Sequence, residues 1–194
     1  MILLLGDING DCSSEGRGVE SRQSPVLDSK HWECILQEVV KSPLLSAMNY
    51  YPEMKTKDAS CNISAILTME AARYFESHQI KCSVERTDKD PDLNFTNLNI
   101  KAEIKVTRLR GKKFKWMGGS FSKRSGLHFL VGWKKESTLD GEGYFFFIVS
   151  GYLDETECVS LGNNYYATAI TVDSLSEKNY IIGNPTNPRF YSLS

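Results

Sequence analysis

No CxxC pair and no Cys/His spacing of the kind that holds zinc occurs in the 194 residues, and the five cysteines, at positions 12, 34, 61, 82 and 158, are odd in number and scattered. That argues against a structural zinc site, and the expectation is reduced thiols in a cytoplasmic protein. Long apolar runs are missing as well. The opening Met1-Ile2-Leu3-Leu4-Leu5 has no basic leader and stops at Gly6-Asp7. It is too short for a signal peptide or a membrane span, so a short buried strand is the expected form and no membrane partner is expected. There is no GxxxxGK(S/T) phosphate loop, no internal repeat and no low-complexity segment, which excludes a P-loop ATPase and a repeat array. What remains is 41% apolar and 24% charged, the balance of one globular domain over residues 1–194.

Net charge is scarce, but its distribution is uneven. The chain carries −1 overall, yet residues 101–135 hold eleven Lys or Arg against one acid, Glu103, a local +10 that leaves −11 for the remainder. Such asymmetry points to a surface that meets a polyanion, with acidic flanks maintaining solubility.

Residues 6–30 are rich in Gly, Ser and Asp without a sustained period, so residues 1–30 read as loop or arm before the first helix. Asp28 or Ser29 caps that helix, in which Trp32, Ile35, Leu36, Val39 and Val40 recur at helical spacing to about Lys41; Pro43 then breaks or restarts the pattern. A second helix is expected from Asn62 or Ser64 to about Gln79, with Ile63, Ile66, Leu67 and Tyr74 as its apolar stripe and Glu70 on the same stripe. From Lys81 the period becomes two. Ile100, Ala102, Ile104 and Val106 alternate with Lys101, Glu103, Lys105 and Thr107, a strand with one apolar and one polar face. Residues 127–134 and 143–152 read as further strands, the second apolar enough to be central. His128, Trp133 and the aromatic run from Tyr144 to Phe147 read as packing residues. The tail is turn-rich. Helices first and strands afterwards predict an α+β or α/β fold with a mixed sheet.

Chemistry concentrates in one place: Pro91-Asp92, ten residues, then Glu103-Ile104-Lys105. Two strand rises of about 3.3 Å put Glu103 and Lys105 on one face about 7 Å apart. Asn94, Thr96 and Asn97 allow a turn that folds Asp92 back beside Glu103, so that two carboxylates and an ammonium converge. Phosphodiester hydrolysis needs charge neutralised on the phosphate, an activated water and a stabilised leaving oxygen. Asp92 and Glu103 are suitable oxygen ligands for Mg2+, and Lys105 suits orienting or deprotonating the water or steadying negative charge. The alternative is a surface Glu-Lys pair on an exposed hairpin.

Pro91-Asp92 and Glu103-Ile104-Lys105 resemble the signature of the PD-(D/E)XK nuclease superfamily, across roughly residues 62–135. The resemblance implies a restriction-endonuclease-like core, a mixed central β-sheet flanked by helices. It implies that the two acids bind Mg2+, that the Ile104 carbonyl joins them as a backbone ligand, and that Lys105 assists the water. Many members add an acid from the preceding helix. Glu70 is the candidate here, against the alternative that it pairs at the stripe's edge with a base such as Arg73.

The segment from Trp116 to Gly126 suits DNA contact, since glycines let backbone approach phosphates and serines donate hydrogen bonds. Arg108, Arg110, Lys112, Lys113, Lys115, Ser120, Ser122, Lys123 and Arg124 are the expected DNA-binding residues. A rival, Gly6-Asp7-Ile8-Asn9-Gly10-Asp11, faintly resembles the first metal turn of calcineurin-like phosphatases, but Asn9 stands where those have histidine and three histidines cannot supply the later motifs. The expected function is a type II restriction endonuclease cutting double-stranded DNA as a homodimer, with a cognate methyltransferase as a separate protein. The alternatives are a repair or Holliday-junction-resolving nuclease and a non-catalytic DNA-binding module.

Overall fold

The computed structural model describes residues 24–48, 56–85, 90–110, 116–120, 125–139, 141–163, 165–168 and 178–193. The apolar start at residues 1–5 and the stretch 6–23 of the expected arm lie outside them. A 3-10 turn (Pro25–Leu27) leads into α1 (Ser29–Lys41), α2 (Pro43–Met48) and α3 (Thr56–Ser77). Among the described residues, ten strands follow: β1 (Cys82–Val84), β2 (Leu93–Phe95), β3 (Ile100–Arg108), β4 (Met117–Ser120), β5 (Gly126–Thr138), β6 (Gly141–Leu153), β7 (Cys158–Gly162), β8 (Tyr165–Thr168), β9 (Asn179–Ile182) and β10 (Arg189–Ser192).

Local sequence explains the helices. Asp28 caps α1 by accepting from the Lys30 N–H at 2.9 Å, satisfying one of the donors that a helix start leaves without a partner. Trp32, Ile35, Leu36, Val39 and Val40 are all buried. The end of the segment expected as loop is pinned rather than loose, because Val26 is buried and its carbonyl accepts from Trp32 Nε1 at 2.8 Å. Pro43 starts α2, as its fixed φ and missing N–H allow at a first helical position. α3 begins at Thr56, more than a turn before Asn62, since buried Ala59 continues the stripe with too small a side chain to register as an apolar signal. Its fully buried aromatic is Phe75, with Tyr74 half-buried beside it. No helix among the described residues is long and apolar enough to cross a membrane.

The main sheet has seven strands in the order β1-β2-β3-β5-β6-β10, with β9 also pairing β6. Every neighbouring pair is antiparallel except β3 and β5, which run parallel. The fold is therefore mixed, with helices preceding a mixed central sheet. A second sheet has the order β4-β8-β7. β5 and β6 are 13 residues each, longer than the apolar runs alone foretell, and the turn-rich tail supplies β9 and β10. Asn94 lies within β2; the β2–β3 turn is Thr96–Asn99, with Asn99 at φ +52°, a left-handed conformation that asparagine tolerates.

Register assigns the two faces. Leu93, Ala102, Leu127 and their alternates Phe95, Ile104, Phe129, Val131, Trp133, Phe146 and Ile148 share one face and form a single core with α1 and α3. Trp32 lies 4.5 Å from Phe129, and Phe75 lies 5.2 Å from Phe95, between ring centroids. Leu130, Phe147 and Val149 occupy the other face, packing with Leu153 and Trp116 in a smaller cluster. Trp116, which opens the glycine-rich segment expected to meet DNA, is thus a core residue whose Nε1 donates to the Val131 carbonyl at 3.1 Å.

Gly132 makes this second cluster possible. A methyl group placed there would lie 2.1 Å from Phe147 and 2.8 Å from Leu109, so the Phe147 ring fills the space that a side chain would take. Gly132→Ala should therefore destabilise the fold by about 1–3 kcal/mol through overpacking. Urea unfolding reads this directly, and an unchanged midpoint would show that Phe147 gives way freely.

Candidate active site

The hairpin β2–β3 is built so that its two acids brace each other. The β2–β3 ladder ends at Leu93 opposite Ala102, and side-chain-to-backbone hydrogen bonds carry the contact on to Asp92. Asp92 Oδ2 accepts from the Ile104 N–H at 2.8 Å, and Glu103 Oε2 accepts from the Asp92 N–H at 3.2 Å. Lys105 Nζ donates to Glu103 Oε1. The three residues are therefore joined: each carboxylate takes a backbone N–H from the neighbouring strand, and the ammonium closes the group.

Burial sets the energetics. Glu103 is 2% exposed and the Lys105 side chain 16%, because β3 is interior, flanked by β2 and β5. A buried carboxylate is costly unless charge and hydrogen bonds compensate it, which is the duty Lys105 and the Asp92 amide perform. An exposed Glu-Lys pair would have no such constraint.

The row extends on both sides. Just past β1, the Glu85 N–H donates to the Asp92 carbonyl at 3.1 Å. Its Oε1 accepts from the Ser83 hydroxyl at 3.3 Å and from Asn94 Nδ2 at 3.2 Å. On β5, His128 is the register partner of Glu103 and is 2% exposed. Glu85 and Asp92, each one residue outside β1 and β2, and Glu103 and His128, on β3 and β5, thus follow one another across neighbouring strands. Sequence reasoning passed over Glu85 and read His128 as packing. Nothing local flags His128, since its place beside Glu103 comes from the parallel pairing.

The oxygen donors suit a hard cation such as Mg2+ rather than a soft metal. Among the described residues no group of three or more His, Cys, Asp or Glu side chains is gathered tightly enough to hold a metal. In an antiparallel ladder the N–H and C=O of one residue turn to the same neighbour. The Ile104 N–H turns to Asp92, so in regular strand geometry the Ile104 carbonyl turns to the same side. The donor set of Asp92, Glu103 and the Ile104 carbonyl is chemically consistent with Mg2+.

Other expected residues lie elsewhere. Glu70 is on α3, which covers the opposite face of the sheet. Its Oε2 sits 2.6 Å from Arg73, which also lies 3.7 Å from Glu38 on α1. Arg108 shares the face of Ala102 and Ile104 and lies over the Trp133 ring at 5.5 Å. Arg110 follows the end of β3 and is exposed. Ser120 ends β4, while Lys112, Lys113, Lys115, Ser122, Lys123 and Arg124 lie outside the described residues. Several cations of the basic stretch have acidic partners brought by the fold: Lys101 with Asp90 at 3.4 Å, Lys134 with Glu136 at 2.9 Å and Lys135 with Glu142 at 3.1 Å. No family model matches the chain, and no curated protein matches its sequence.

Removal of one partner from the buried pair should be expensive. Lys105→Met leaves the Glu103 carboxylate buried without its cation and should cost about 3 kcal/mol, whereas a solvent-exposed pair would cost about 1 kcal/mol at most. Adding Glu103→Gln should recover part of that loss, giving a coupling well above zero in a double-mutant cycle. Additive effects in thermal or urea unfolding would show that the two side chains do not depend on one another.

Proposed function

We propose that this protein is a Mg2+-dependent DNA endonuclease with a restriction-endonuclease-like core, acting as a type II restriction enzyme on double-stranded DNA. The observation that supports it best is the convergence of Asp92, Glu103 and Lys105, with Glu103 buried and ion-paired. A surface pair needs none of that burial; a hydrolytic centre does, because a water-poor site strengthens the action of its charges.

Asp92, Glu103 and the Ile104 carbonyl are the groups that would hold the cation. Bound there, Mg2+ supplies charge neutralisation at the scissile phosphate and acidifies water. The chain's own residues do the rest. The Ile104 amide fixes the Asp92 carboxylate in one orientation, and the Asp92 amide does the same for Glu103. Lys105 has three N–H donors and a flexible stem, so it can turn from Glu103 to a water or a phosphate oxygen while remaining near both acids. Glu70 is engaged with Arg73, and the reading does not require it.

Residues 101–135 supply the positive charge for the DNA backbone, although Lys101, Lys134 and Lys135 have acidic partners. Arg110, just past the end of β3, and Lys112, Lys113, Lys115, Lys123 and Arg124, outside the described residues, are further candidates for phosphate contact. Cutting both strands of a palindrome is simplest for a two-fold symmetric pair, so the active form is a cytoplasmic homodimer alongside a separate methyltransferase.

Incubation of a mixed-sequence plasmid with the protein and Mg2+ tests the reading. Discrete bands are expected; cutting confined to branched or damaged DNA would move the function to repair or junction resolution, and binding without cutting would leave a non-catalytic DNA-binding module. Asp92→Asn should abolish cleavage while DNA affinity is kept or rises, because a negative charge near the phosphate is removed. Retention of near wild-type cleavage in that variant, shown to be folded, would overturn the site.

The basic stretch has its own measurement. Replacing Lys112, Lys113 and Lys115 by Ala should reduce the slope of log K against log salt by about 0.9 for each phosphate that a lysine no longer neutralises. A slope equal to the wild type's would remove these lysines from the DNA surface.

A further inference from the structure

Three rings meet where the start of α1 lies against the end of α3. His31 is in the first turn of α1, Tyr74 is in the last turn of α3, and His78 directly follows that helix. Tyr74 holds both imidazoles. Its ring stacks on His78, with centroids 4.0 Å apart and planes at 22°, and meets His31 edge-on at 5.5 Å. Its hydroxyl lies 3.2 Å from His31 Nδ1, and its backbone carbonyl lies 2.8 Å from His78 Nδ1. The Ser77 hydroxyl is a further neighbour of that second nitrogen, at 3.1 Å.

These hydrogen bonds decide which nitrogen of each ring is left to act. A carbonyl oxygen only accepts, so His78 Nδ1 carries the proton and Nε2 the lone pair. A tyrosine hydroxyl either donates or accepts, so His31 takes the same tautomer whenever a cation draws on its Nε2. Neither Nε2 has a hydrogen bond to a described residue. Metal-ligating histidines are held in this way, with the other ring N–H given to an oxygen that fixes the tautomer and the ring's orientation. The two imidazoles are 5.8 Å apart between centroids, with planes at 66°. Two nitrogens on one tetrahedral ion stand about 3.4 Å apart, since each bond is about 2.1 Å, and rings at this spacing can bring facing nitrogens that close. His31 is half-buried and His78 exposed, so an ion can reach them from solvent.

We propose that His31 and His78 form a metal site separate from the nuclease centre, their Nε2 atoms holding one borderline divalent ion such as Zn2+ and clamping the start of α1 to the end of α3. Imidazole suits such an ion, whereas Mg2+ prefers oxygen donors. Two protein ligands leave the remaining positions to water, so the ion exchanges with solvent and stabilises the fold by mass action. α1 and α3 cover the face of the sheet opposite Glu103, and the proposal does not rest on the nuclease reading.

Calorimetric titration of the whole chain with Zn2+, in excess Mg2+, tests it. A saturable site should appear that is lost in His31→Asn and in His78→Asn alike and survives in Asp92→Asn. Tyr74→Phe keeps both ligands but takes the hydroxyl from His31, and affinity should fall about 10-fold. Zn2+ should also raise the melting temperature of the wild type and leave that of either histidine variant unmoved. Wild-type affinity in either histidine variant overturns the proposal. So does a site lost only in Asp92→Asn, which would put the ion in the nuclease centre. Side-chain nitrogen NMR gives a second readout on the wild type. The chain has three histidines, and Zn2+ should move the Nε2 resonances of His31 and His78 together. Movement of one ring alone, or of Nδ1 in place of Nε2, refutes the shared ion. Should a histidine variant not fold, this spectrum decides, and it does so whether or not the protein cuts DNA.

Discussion

Strands β3 and β5 run side by side in the same direction, and two parallel strands cannot be joined by a tight turn. The chain must leave β3 at Arg108 and return to the same end of the sheet to begin β5 at Gly126. That detour contains β4 and brings Trp116 onto the sheet, where it packs with Leu130, Phe147 and Val149. The same pairing makes β3 an interior strand. An interior β3 is why Glu103 is buried, and a buried Glu103 is why Lys105 is held against it rather than extended into water.

The two faces of the sheet have divided their duties accordingly. One is apolar and closed by α1 and α3, with Ala102, Ile104, Phe129 and Val131 facing Trp32, Ile63, Leu67 and Phe75. The other is apolar over β5 and β6 but polar where β1, β2, β3 and the start of β5 lie together. Buried polar groups there are stabilised by one another: a backbone amide for each carboxylate, an ammonium for Glu103, and a carbonyl for the imidazole. Such networks have a high cost when one member is removed, which ties the local fold of the hairpin to the chemistry it carries. The proposed reaction uses this arrangement by giving Lys105 a second task without leaving a bare charge behind.

Charge behaves differently along the chain and in space. The +10 of residues 101–135 is a property of the sequence, but Lys101, Lys105, Lys134 and Lys135 each lie beside an acid. Of these acids, Asp90, Glu136 and Glu142 come from outside that segment. A DNA surface depends on the cations that remain uncompensated and face one way, and counting along a strand cannot say which those are, because alternate residues point to opposite faces. Arg108 illustrates this: it belongs to the basic run, yet it lies on the helix-covered side over Trp133.

Periodicity in the sequence by itself determined α1, the core of α3, and the alternating strand from Ile100 to Val106, because these patterns arise from geometry within a single element. It also determined that Asp92 returns to Glu103, since ten intervening residues and a turn-forming stretch fix a hairpin locally. The start of α3 was hidden by small Ala59, and β9 and β10 by their four-residue length, which carries too little period to read. The pairing of Glu70 with Arg73, three residues apart on one helix, was among the readings the sequence left open; only the tertiary structure decided that Glu103 is buried and that His128 stands beside Glu103. The physical reason is the same for both. Each depends on which strands become neighbours, and a parallel pairing between residues some 25 apart leaves no repeating signal in the sequence between them.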